Sequence, residues 1–162
     1  MLQEPYLFSR TIGQNIGISV EKATHDAIRS AAAAAALDET VMSFAAGYET
    51  LVGERGVTLS GGQKQRTAIA RTLMQDVPIL IFDDSLSAVD TETDAKIRKA
   101  ISQKFGKATV ILISHRITTL CAADNILVLD KGRIVQQGSH EQLKTAGGIY
   151  QKIYETQSGY QE

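Results

Sequence analysis

Cysteine is nearly absent: Cys121 is the single thiol in 162 residues, which rules out an intrachain disulfide framework and a multi-cysteine metal site. It is expected to be an inert packing residue in a reducing compartment. An excess of one charge is lacking too, with 17 Lys and Arg against 18 Asp and Glu, a net charge of −1, and no long basic block. No nucleic-acid partner is therefore expected, and any phosphate must be held locally. No apolar run approaches the roughly 18 residues that span a bilayer, and the opening Met-Leu-Gln-Glu-Pro has neither part of a signal peptide, so the chain reads as cytosolic. A phosphate-binding loop, G-x-x-x-x-G-K-[ST], is also missing. Gly56 and Gly61 have its separation, but Gly62 occupies the lysine position.

What is present suits one domain, with 43% hydrophobic residues for a core and 22% charged residues for a surface. Val20–Phe44 contains six consecutive alanines at 31–36 and no Gly or Pro, which predicts one or two helices. Val77–Phe82 and Thr109–Ile113 are continuous β-branched and apolar runs, the pattern of parallel strands covered on both faces. Thr91–Gln103 lies between them with charges at helical spacing, completing a β-α-β unit. Ile126–Leu129 and Arg133–Gln137 flank the turn-forming Asp130-Lys131-Gly132, which predicts a hairpin at the sheet edge. The tail from Ser139 is expected to be helical, broken at Gly147-Gly148.

Two stretches carry chemistry. In Leu59-Ser60-Gly61-Gly62-Gln63, Ser60 and Gln63 have the S-x-x-Q form of a capping box, so a helix is predicted to start here and run to about Gln75. Two glycines in its first turn weaken the helix start while letting a ligand approach the backbone N–H groups, and a helix N-terminus with exposed donors suits phosphate. In Ile79–Asp90 a buried strand runs straight into two adjacent carboxylates, Asp83 and Asp84, and reaches a third at Asp90. Alone, such a pair is more often a solvated strand end than a catalytic one.

Together these residues resemble the ATP-binding cassette (ABC) ATPases over essentially the entire chain. Leu59–Gln63 followed by Lys64-Gln65-Arg66 resembles the signature motif, and Ile79–Asp83 the Walker B strand. In the family's order, Gln3 resembles the Q-loop glutamine, Ser87-Ala88-Val89-Asp90 the D-loop, and His115 after Ile111-Leu112-Ile113-Ser114 the switch histidine. The resemblance implies an α/β fold: a truncated P-loop NTPase-type (RecA-like) parallel sheet with an α-helical signature subdomain. It divides one nucleotide-binding domain into a helical subdomain at about 10–75, core strands and hairpin at about 76–138, and C-terminal helices at 139–162.

The resemblance also implies roles and cofactors, ATP and Mg²⁺. Asp83 would help hold Mg²⁺ through its water shell, since a hard dication wants oxygen ligands. Asp84 would face the attacking water, Gln3 would help position that water and the metal, and His115 would contact the γ-phosphate. Ser60, Gly61, Gly62 and Gln63 would serve the phosphate of an opposite subunit, with which Asp90 would communicate. His25 and His140 match no motif and are expected to be structural. The missing phosphate-binding loop lies upstream of the Q-loop in the family, which implies that Met1 opens the later part of a nucleotide-binding domain.

Tyr48–Gly56 resembles the X-loop of exporters, where it contacts the cytoplasmic ends of transmembrane helices, and Asp130–Glu141 also resembles the exporter type. That implies a membrane domain fused upstream and a place at the cytoplasmic face of the cell membrane, in a multidrug or lipid exporter. One departure stands out: the family's hydrolysing site usually has Glu after the Walker B Asp, whereas this chain has the shorter Asp84. The pattern resembles one half of a heterodimeric exporter with one slow and one fast site. A soluble ABC ATPase and a non-catalytic pairing fragment remain the alternatives.

Overall fold

The computed structural model describes residues 5–53, 58–85, 89–104 and 108–159. It forms two compact units, Met1–Ile113 and Ser114–Glu162. In the first, α1 (Ile12–Gly17), α2 (His25–Ala34), α3 (Asp38–Met42) and α4 (Gly61–Leu73) make a helical cluster in which α1, α2 and α4 pack on one another. Thr11 opens α1 with a capping box to Gln14, and Thr24 caps α2 by accepting from the Ala27 N–H at 3.2 Å. Ile12, Ile16, Ala31, Ala32, Ile69 and Leu73 are fully buried where these helices meet. The small alanine side chains let backbones approach closely.

The alanine run does not stay helical. α2 stops at Ala34, Ala36 takes a left-handed φ of 52°, and the Leu37 N–H donates to Ala32 O at 2.8 Å while the Ala36 N–H donates to Ala33 O at 2.9 Å. This is a Schellman closure with alanine where glycine is favoured. Its reward is local, because the turn delivers Leu37 into the core at 2% exposure and lets α3 begin at Asp38.

β1 (Ile79–Asp83), α5 (Thr91–Lys104) and β2 (Thr109–Ile113) form the expected β-α-β unit, with β1 and β2 parallel in register from Ile79↔Thr109 to Asp83↔Ile113. Burial is not two-sided, in contrast to the reading of the apolar runs. Leu80 and Phe82 face the core, each burial contributing about 1.5–3 kcal/mol, while Ile79, Ile81, Ile111 and Ile113 are 44–56% exposed. The described residues supply a covering layer on one sheet face only.

The second unit holds α6 (Ile117–Leu120), β3 (Ile126–Asp130), β4 (Arg133–Gly138), α7 (His140–Leu143) and α8 (Ile149–Ser158) around Ile117, Ile126, Leu143 and Tyr150. β3 and β4 pair antiparallel through a tight turn with positive φ at both Lys131 and Gly132. Contrary to the expected sheet edge, this hairpin is a separate two-stranded sheet among the described residues. Ser139 and Gln142 box the start of α7, and Gly148 at φ 88° precedes α8, where a Cβ would come within 2.8 Å of the Gln136 side chain. Cys121 is exposed rather than packed, its Sγ donating to Thr118 O at 3.3 Å. It is the C-cap of the one-turn α6, its N–H donating to Ile117 O.

Candidate functional site

The signature stretch folds as its spacing predicts. Ser60 Oγ accepts from the Gln63 N–H at 3.3 Å and Gln63 Oε1 accepts from the Ser60 N–H at 2.8 Å, closing the capping box. Leu59 is buried and anchors the entry to α4. Gly61 is exposed, and a Cβ placed there would meet nothing within 4 Å. Internal packing therefore does not demand this glycine, whose smooth surface stands at the positive end of a 13-residue helix.

Asp83 and Asp84 sit at the carboxyl end of β1. Asp83 lies opposite Ile113 in the parallel register, and the Asp84 N–H donates to Ile113 O at 2.8 Å, so β2 fixes the turn that presents both carboxylates. Asp84 has a φ of 44°, a left-handed conformation that a short polar side chain tolerates better than most. Ser85, 1% exposed, donates through Oγ to Asp83 O at 3.1 Å and tightens the same turn.

Asp90 caps α5: its Oδ1 accepts from the Thr93 N–H at 2.9 Å. That bond, with Arg66 on α4 adding attraction, holds its carboxyl below the usual range. This cap was legible as an Asp directly before a helical pattern, and the motif assignment overlooked it. Of the other D-loop residues, Ser87 and Ala88 lie outside the described residues, as do Gln3 and the Glu54–Gly56 part of the X-loop stretch.

His115 belongs to the second unit and is exposed, two residues after β2. The side-chain amide of Gln157 holds the backbone around it: Oε1 accepts from the Ile117 N–H at 2.9 Å and Nε2 donates to His115 O at 2.7 Å. No local pattern pointed to Gln157. The two histidines that match no motif both make aromatic contacts. His25 packs its ring edge-on to Tyr48 with centroids 5.5 Å apart, and His140 Nδ1 lies 2.8 Å from the Tyr150 hydroxyl.

On the first unit, Arg29, Asp38 and Tyr48 form a linked set. Arg29 donates through Nε and Nη2 to the two Asp38 oxygens at 3.2 and 3.0 Å, and the Tyr48 hydroxyl donates to Asp38 Oδ1 at 2.6 Å. Arg29 first, then Tyr48, pulls the Asp38 carboxyl down, while burial first, then Asp38, drives the Tyr48 phenol up. Tyr48 also borders a groove of about 450 Å³ lined by Gly13, Gln14, Ile18, His25 and Glu49.

Among known families, the ABC transporter model matches residues 1–87, more than half of the chain. The chain belongs to the ABC transporter family. An uncharacterized ABC transporter ATP-binding protein of Sinorhizobium fredii is 43% identical over 155 residues, covering 96% of this chain and 26% of its own length. The Beta-(1-->2)glucan export ATP-binding/permease protein NdvA of Brucella suis is 40% identical, covering 94% of this chain and 26% of the relative. Among solved structures, that of a bacterial Atm1-family ABC exporter with ATP bound superposes at a TM-score of 0.90 with 42% identity, covering 96% of this chain and 27% of that one. The ABC chain described here thus spans about a quarter of the length of these relatives. Its mixed α/β fold, with a parallel strand pair, is that of an ABC nucleotide-binding region.

Proposed function

We propose that this chain serves as the later part of the nucleotide-binding domain of a membrane exporter, coupling ATP binding and hydrolysis to transport at the cytoplasmic face of the membrane. In this proposal about 10–75 is the helical signature part, about 76–138 the core strands and hairpin, and 139–162 the C-terminal helices. The observation that carries it is the boxed helix start at Ser60 and Gln63 with an open Gly61, in a chain 42% identical to an exporter with ATP bound. Ser60, Gly61, Gly62 and Gln63 would meet the γ-phosphate of ATP held by a second nucleotide-binding domain, while the phosphate-binding loop that the family carries upstream of the Q-loop would hold this chain's own nucleotide.

The remaining residues would act on this chain's own nucleotide. Asp83 offers the kind of oxygen donor that Mg²⁺ takes alongside water and phosphate, and the ion when bound neutralises charge on the phosphate oxygens. Asp84 orients the attacking water and draws on its proton as the water oxygen bonds to the γ-phosphorus and the bridging P–O bond breaks. Gln3 would help position that water and the metal, and His115 would contact the γ-phosphate and stabilise the charge growing on the transferring group. The groove beside Tyr48 and Glu49 would receive the cytoplasmic ends of transmembrane helices fused upstream.

In the complete transporter with its partner, Ser60→Ala together with Gly62→Asp is expected to abolish most ATPase activity. A carboxylate would then stand where a γ-phosphate must approach the helix. Losing the cap itself costs about 1 kcal/mol, so thermal unfolding of the double variant separates lost stability from lost chemistry. A folded double variant that hydrolyses ATP at the parental rate refutes the proposal.

A further inference from the structure

The geometry points to Gln157 as a positioning residue for the switch histidine: one amide on α8 clamps the peptide planes on both sides of Arg116 and thereby sets the direction of His115. This rests on the proposed contact between His115 and the γ-phosphate, and it assigns to the C-terminal helix a part in the chemistry.

The clamp has a defined sense. Ile117 N–H can only donate, so the oxygen of the Gln157 amide must face it and the NH₂ group must face His115 O, as the 2.9 and 2.7 Å contacts have it. Ile117 is the first residue of α6, and Arg116 at its N-cap makes no side-chain capping bond to the helix's own N–H groups. The N–H that a cap normally satisfies locally is met here from a helix 40 residues away. Fixing the His115 carbonyl restrains its ψ, and the backbone so held sets the Cα–Cβ direction from which the imidazole projects and limits the rotamers it can adopt.

α8 is built to carry such a clamp. Gly148 and Gln136 secure its beginning, with Gln136 Oε1 accepting from the Tyr150 N–H at 3.0 Å and its Nε2 donating to Gly147 O at 2.8 Å. Tyr150 is 3% exposed, and Tyr154 lies edge-on to the His140 ring at 5.4 Å. Residues 150, 154 and 157 follow the i, i+4, i+7 rule, so one helix face bears the two anchoring tyrosines and, at its far end, the amide. A helix face anchored by the buried Tyr150 and the half-buried Tyr154 thus delivers a polar group to the backbone beside the exposed His115.

The test uses the complete transporter and steady-state ATPase kinetics of His115→Ala, Gln157→Ala, Gln157→Glu and the double variant His115→Ala with Gln157→Ala. We expect Gln157→Ala to lower kcat about tenfold to a hundredfold with KM for ATP changed less than about twofold, because misplacement by about 1 Å acts on the transition state. In the His115→Ala background the same change should cost less than about twofold, since the clamp acts through His115. Gln157→Glu still accepts from Ile117 N–H but cannot donate to His115 O. It should keep the fold, lower kcat, and decide the matter if Gln157→Ala does not fold. Should His115→Ala be slow while folded Gln157→Ala or Gln157→Glu turns over at the parental rate, the clamp is refuted and the histidine's role stands. Equal losses from Gln157→Ala with and without His115 also overturn it. A parental rate in His115→Ala removes the role assigned to the histidine, and the clamp's purpose with it.

Discussion

Arg71 on α4 reaches back to Asn15 on α1, its Nε donating to Asn15 O at 2.8 Å and its Nη2 to Asn15 Oδ1 at 3.0 Å. The same guanidinium donates to Tyr6 O at 3.0 Å and lies 5.7 Å from the centre of the Phe8 ring. Asn15 is fully buried and in turn holds Phe8, Arg10 and Thr11 through backbone contacts. The signature helix and the segment that follows Gln3 are therefore one hydrogen-bonded assembly.

Arg71→Ala should destabilise the chain by about 1–3 kcal/mol, the usual cost of leaving buried acceptors unpaired. Arg71→Lys should recover less than half of the loss, because an ammonium cannot span three acceptors as a planar fork does. Chemical denaturation of the two variants measures both effects. Full stability in Arg71→Lys would show that charge alone suffices.

Ala36 offers the opposite sign. At φ 52° it pays the left-handed cost of a Cβ, so Ala36→Gly should stabilise by up to about 1 kcal/mol at the Schellman turn, offset in part by entropy of the unfolded chain. A fall in Tm would indicate that the alanine methyl contributes more to packing than its strain costs.

Asp38 sets a pH dependence. Its folded carboxyl titrates below the ordinary value of 3.8, through Arg29 first and Tyr48 second, so the unfolded chain binds more protons as acid is added. The stabilisation is present above about the ordinary carboxylate pKa and disappears as pH falls through the lower folded value. The Tm gap between the parent and Asp38→Asn should be level from about pH 5 upward and shrink below it. A gap independent of pH would place the loss in hydrogen-bond geometry instead of charge.

The role proposed for Asp84 predicts which site turns over. In a heterodimer whose partner supplies the fast site, Asp84→Asn should keep most of the steady-state ATPase, while Gln in place of the partner's corresponding Glu should stop it. Asp84→Glu should raise activity at this chain's site by extending the carboxylate about 1 Å toward the water. That longer side chain sits less easily at φ 44°, costing on the order of 1 kcal/mol in stability. Turnover that vanishes in Asp84→Asn would identify a homodimer with two dependent sites.

Pairs three residues apart announce themselves in the sequence: Ser60 with Gln63, Ser139 with Gln142, and Thr11 with Gln14 close boxes that need only helix geometry. The β-α-β order is equally local, because β-branched runs separated by a charged helical stretch have few other ways to pair. Propensity was less decisive at Ala31–Ala36, where burial of Leu37 overrode a residue type that favours helix throughout. It was silent on whether Ile79, Ile81, Ile111 and Ile113 are covered, since an apolar run reads the same with one packed face or two. Only the tertiary structure brings Arg71 to Asn15 across 56 positions and Gln157 to His115 across 42. A glutamine or arginine on a helix has the same local pattern whether it meets water or a distant carbonyl, and folding of the elements between them selects the partner.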